Sequence, residues 1–144
     1  MASILPVSHS SWSERKAPDL ADFEAMASET LATLPDDLLM RCGHIQIRLA
    51  EYAPDDVLDA LSIEDPYELL GLFEGLGLAQ GGDAVLTGQM PNRIWLFRRP
   101  ILDYWAGMDE KLGDVVAHVL IHEIGHHFGL SDQDMERIEA AADR

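Results

Sequence analysis

Residues 118–134, HVLIHEIGHHFGLSDQD, carry four of the chain's six histidines, and their spacing restricts what the surrounding polypeptide can become. His122 and His126 are four apart. In an α-helix, four residues advance about 400°, one turn plus about 40°, and rise about 6 Å. Both imidazoles then lie on one face and can point at one ion. Leu112, Val115, Val116 and Val119 give the same helix an apolar packing stripe. Asp109 is expected to cap its start and Gly129 to stop it. The segment therefore demands a helix with one side in a core and another open to a ligand.

The chemistry follows from the residue types. Zinc takes imidazole nitrogens at about 2.0–2.1 Å and wants at least a third protein ligand. Glu123 lies about 100° around the helix from His122, beside the metal face, where a carboxylate can take a proton from water. The helix alone cannot supply the third ligand, so the chain must turn back beneath the ion. Gly129 permits the positive φ that such a reversal needs, and Asp132 arrives three residues later. Asp134 and Glu136 are the competing acids. The pattern is HExxHxxGxxD, and its N/O ligand set suits zinc. Of the other histidines, His127 is about 140° from His122 and cannot bind the same ion. It is expected to be buried and hydrogen-bonded. His118, one turn before His122, could line the cleft or stabilise an oxyanion. His44 is expected at the surface, and His9 has no supporting neighbours.

The rest of the chain supplies the scaffold. Residues 1–18 read as a loose polar lead-in, and residues 19–144 as a single domain. From Asp19, the stripe Phe23, Met26, Ala27, Thr30, Leu31 and Leu34 predicts a helix. Pro35 breaks it, and DDLLMRC makes a short second helical turn. HIQIRLA alternates, with Ile45, Ile47 and Leu49 on one side, as a half-buried strand does. Short helical pieces follow between Pro54 and Pro66, then LLGLFEG as a second strand. AQGGDAVLTGQMPN reads as a loop with room for a short strand. RIWLFRR is apolar on both faces, a covered strand closed by Pro100. QDMERIEAAADR forms a final helix. Helix, strands and helix without βαβ repetition give an α+β class.

HEIGHHFGLSDQD, with PNRIWLFRRPIL before it, resembles the small bacterial zincin-like metallopeptidases. HExxHxxGxxD is the extended signature of metzincin-type zincins in its Asp-terminated form. The resemblance covers about residues 20–140. It implies a minimal zincin-like fold, a small sheet packed against the HExxH helix. It implies zinc held by His122, His126 and Asp132, with Glu123 as general base. It also suggests that one strand borders the cleft and can pair with an extended peptide, for which RIWLFRR is the candidate. No tyrosine follows Asp132, and Met135 is the one methionine after the motif.

The resulting expectation is a zinc metallopeptidase acting on a peptide or protein substrate. Two other readings share the motif: a zinc hydrolase of non-peptide substrates, and a non-catalytic zincin-fold binding or regulatory module. Ten Lys+Arg against 26 Asp+Glu leave a net charge of −16, which repels phosphate backbones and argues against nucleic acid. There is no secretory signal pattern and no apolar run of about 20 residues, so a cytoplasmic protein away from the membrane is expected. The single cysteine, Cys42, cannot form an internal disulfide and reads as a small buried hydrophobe.

Overall fold

Residues 11–13 of the expected loose lead-in are helical, and Asp19 starts the next helix, α1 (Leu20–Ala32). Its carboxylate accepts from the Asp22 amide, and the Asp22 carboxylate accepts from the Asp19 amide. This reciprocal cap satisfies amides that the first turn leaves without helical partners. The expected stripe is the buried one: Phe23, Ala27, Thr30 and Leu34 are buried, and Met26 and Leu31 pack beside them. The Thr30 hydroxyl donates to the Met26 carbonyl, which satisfies the one polar group in that stripe. The computed structural model describes residues 11–75 and 92–142. Residues 79–91 of the expected loop, and His9, lie outside them.

After Pro35 comes α2 (Asp36–Cys42), a seven-residue helix rather than a single turn, ending on the buried Cys42. Then follow β1 (Ile45–Ala50), α3 (Asp55–Ala60), a 3-10 turn (Pro66–Glu68) and β2 (Gly71–Glu74). The remaining elements are β3 (Asn92–Phe97), α4 (Arg98–Ala106), α5 (Leu112–Phe128) and α6 (Asp132–Ala142). The sheet order is β1-β3-β2, with β1 parallel and β2 antiparallel to β3. This is an α+β fold with a small mixed sheet, as expected.

The central position of β3 explains its apolar sequence. Ile94 and Leu96 face the main core, while Phe97 and Trp95 join a second cluster with Ala53 and Leu58. The same position corrects the expectation for RIWLFRR as a peptide-pairing strand. Both edges of β3 are occupied by β1 and β2, so it has no free backbone row to offer a substrate. Arg98 and Arg99 also leave the strand and open α4. Pro100 sits in the first turn of that helix, where a missing N–H removes no helical bond. Arg98 donates to the Pro18 carbonyl at 2.6 Å and to Glu51 at 2.8 Å, which ties the end of the N-terminal lead-in to the domain. α4 has no side-chain N-cap, the signal by which the sequence would have announced it.

α5 is the axis of the fold. It starts after Lys111 rather than after Asp109, without a side-chain cap. Its buried band is wider than the predicted stripe and includes Leu120, Ile121 and Ile124, because α1, β2, β3, α4 and α6 all pack against it. Full burial of a side chain such as Ile121 contributes on the order of 2 kcal/mol. Gly129 stops the helix in the left-handed conformation (φ 71°, ψ 30°), and the amides of Gly129 and Leu130 both reach the Gly125 carbonyl. α6 then folds back on α5 with Met135 buried against Gly125. A Cβ at position 125 would collide with the Met135 sulfur, so glycine there sets how closely the two helices approach. Among the described residues, no helix is long and apolar enough to cross a membrane.

Candidate metal centre

Three histidines, His118, His122 and His126, form a row along one face of α5 at i, i+4 and i+8. Neighbouring ring centroids are 4.0 Å apart for His118 and His122, and 5.8 Å apart for His122 and His126. Opposite the row lies α6. Its Glu139 carboxylate meets His118 Nδ1 at 2.5 Å and lies 3.6 Å from His122 Nε2. Among the described residues, His118, His122 and Glu139 form the one group whose ligand atoms all lie within 4.8 Å of one another.

The four residues singled out in the motif are arranged around this cluster. His122 belongs to it. Burial first, and the neighbouring His118 second, hold the His122 imidazole below its usual pKa, which favours the neutral form that binds metals. His126 is exposed one turn further on. Asp132 is the first residue of α6, directly after the Gly129 turn, and is also exposed. It is near enough to His122 to favour that ring's protonated form, but neither it nor His126 belongs to the compact group. Of the competing acids, Asp134 is engaged: Ser131 bonds its carboxylate and Arg137 pairs with it. Glu136 is exposed beside His118, in a groove described below.

Glu123 faces the sheet rather than α6. Its Cγ lies 3.5 Å from where a Cβ on Gly71 would stand, and the Phe73 backbone of β2 is near enough to favour its ionised form. Burial raises its pKa above the ordinary carboxylate value, partly offset by His126 and by that backbone. No other described strand pairs with the outer edge of β2. β2, not β3, is therefore the strand beside the expected base. His127 also differs from expectation. It is half-buried and stacked on Phe73, with centroids 3.9 Å apart, and its buried Nε2 has no partner among the described residues. His44 is exposed, as expected.

Glu139 is the participant that the sequence reading passed over. The signal was present. Asp132 and Glu139 are seven residues apart, two helical turns, so both acids lie on one face of α6.

The family model of the zincin-like metallopeptidases matches residues 42–142, which contain the whole histidine row, both acids and the three described strands. The chain belongs to this family. A comparison with curated proteins gives no significant match. A zincin-like protein implies a metal, and the donors here fit one. Two imidazoles stand at helical spacing, His122 is biased to its neutral form, and carboxylates approach from the facing helix.

Proposed function

We propose that this zincin-like protein is a zinc-dependent peptidase, with His122, His126 and Asp132 as metal ligands, Glu123 as general base, and residues 19–144 as the working domain. The observation that carries the reading is Glu123. It directly follows a proposed ligand histidine, is half-buried, and packs against Gly71 of the edge strand β2 at the side of the histidine row. Asp132 is favoured over Asp134 because Ser131 and Arg137 already engage the latter.

Zinc bound here supplies Lewis acidity, bringing the pKa of water to near 7 and polarising a carbonyl. Glu123 takes the proton from the attacking water and returns it to the leaving amine. Burial raises its pKa, which makes it a stronger base than an exposed carboxylate. The outer edge of β2 presents backbone groups to which an extended peptide can add. The substrate class is accordingly a peptide or protein segment.

The test is zinc content and peptide hydrolysis in wild type and Glu123→Gln. The expected outcome is equal zinc in both, with hydrolysis in wild type alone. If the variant loses its zinc, Glu123 is a ligand and not a base. If zinc-loaded wild type cleaves nothing in a broad peptide library, the non-catalytic reading replaces this one.

A further inference from the structure

The histidine row contains two pairs at the same helical spacing, not one. His118 and His122 repeat the relation of His122 to His126, one turn earlier on α5. Each pair faces an acid of α6, with Asp132 at the start of that helix and Glu139 two turns on. We propose that His118, His122 and Glu139 form a second divalent-cation site, and that it and the hydrolytic site are alternatives because they share the His122 imidazole.

The geometry of the first three residues is close to a ligand set. Ligand atoms around a tetrahedral zinc are about 3.3 Å apart, given bonds of about 2.0–2.1 Å. Here the Glu139 oxygen is 2.5 Å from His118 Nδ1 and 3.6 Å from His122 Nε2, and the third edge is no longer than 4.8 Å. Shifts of about 1 Å close the set. His122 Nε2 is already turned towards it.

The surroundings favour a cation. A groove of about 620 Å³ opens beside His118 and Glu139, walled by Glu29, Glu110, Asp114 and Glu136, with Lys111 the single cation among the described residues that line it. Such a wall concentrates divalent ions at the cluster. Exclusivity follows from the imidazole, because a neutral ring presents one lone pair to a metal. An ion in this site has Glu139 as a ligand, while Glu123 packs on the sheet side of α5, against Gly71 of β2. The second site therefore stores metal without hydrolysing peptide.

The experiment is Zn²⁺ titration by calorimetry on the full chain, with circular dichroism to verify folding and ¹⁵N spectra of the histidine rings to locate the ion. Wild type is expected to bind one equivalent. The His126→Ala/Asp132→Ala double variant, whose changed side chains are exposed, is expected still to bind one equivalent, with the His118 and His122 rings shifted. Adding Glu139→Gln should then weaken binding at least tenfold. A folded double variant that binds no zinc overturns the site. So does one whose affinity ignores Glu139→Gln. Two equivalents bound together in wild type overturn the exclusivity. This proposal shares only His122 with the peptidase reading. Absence of hydrolysis in wild type would refute that reading and leave these titrations unaffected.

Discussion

The two working faces of α5 are built differently. On the sheet side, Glu123 is half-buried, with its Cγ packed 3.5 Å from where a Cβ on Gly71 of β2 would stand. On the α6 side, the histidines and acids reach the surface. His118, His126 and Asp132 are exposed, and only the His118–His122–Glu139 end of the row is drawn together. The difference divides the labour. A base must stand at a fixed distance from the bond it serves, whereas ligands can adjust as an ion enters. In the proposed reading the half-buried sheet side is the rigid half, which carries the base, and the exposed α6 side is the adjustable half, which carries the ligands.

The largest expected effect falls on the rigid half. Glu123→Gln keeps the shape and removes the base, and should lower hydrolysis by about 10²–10⁴-fold with zinc retained. An activity loss matched by zinc loss would erase the distinction between the faces. Next is the seam between the halves. Met135 is buried against Gly125, so Met135→Ala should cost about 2–5 kcal/mol, read as a lowered Tm. The same loosening should weaken zinc binding, because both acids ride on α6. Unchanged zinc affinity in that variant would show that the acids do not depend on how α6 is seated.

The adjustable half is sharpened by comparing neighbouring acids. Asp132→Ala removes a proposed ligand and should weaken zinc sharply, whereas Asp134→Ala should leave it nearly unchanged. Reversed affinities would exchange the two residues' roles. The smallest effect lies away from both faces. Burial pushes the Cys42 thiol up to about 11 from an ordinary 9.0. An acid with a raised native pKa favours folding below its unfolded pKa, and that contribution is lost as pH climbs from about 9 to about 11. Stability should fall slightly over that window, and a thiol reagent at pH 8 should react with native protein far more slowly than with unfolded chain. Rapid native reaction would contradict the buried position.

Much of α5 and its histidine row was legible because helices write their contacts into spacing. The i, i+4 histidines, the Gly129 stop and the apolar band of α5 all follow from a fixed rotation per residue. The Asp19 cap and the alternating β1 were legible for the same local reason. What depends on partners was not. RIWLFRR announced a covered strand, yet its central place between β1 and β2 is a matter of pairing over long separations. The cleft strand was misassigned on that account. α4 begins without a cap, and α5 starts at Lys111 with no capping side chain to mark it. Glu139 stood at a readable distance from Asp132, but only the packing of Met135 on Gly125 brings it over His118.

The position of the ion with a substrate mimic in place tests the account most directly. Crystals grown with one equivalent of zinc and a peptide hydroxamate, measured at the zinc absorption edge, locate it without ambiguity. Anomalous density is expected bonded to His122, His126 and Asp132, with Glu123 hydrogen-bonded to the hydroxamate and the peptide extended along β2. Density bonded to Glu123, or an ion bound away from His122 and His126, would contradict it.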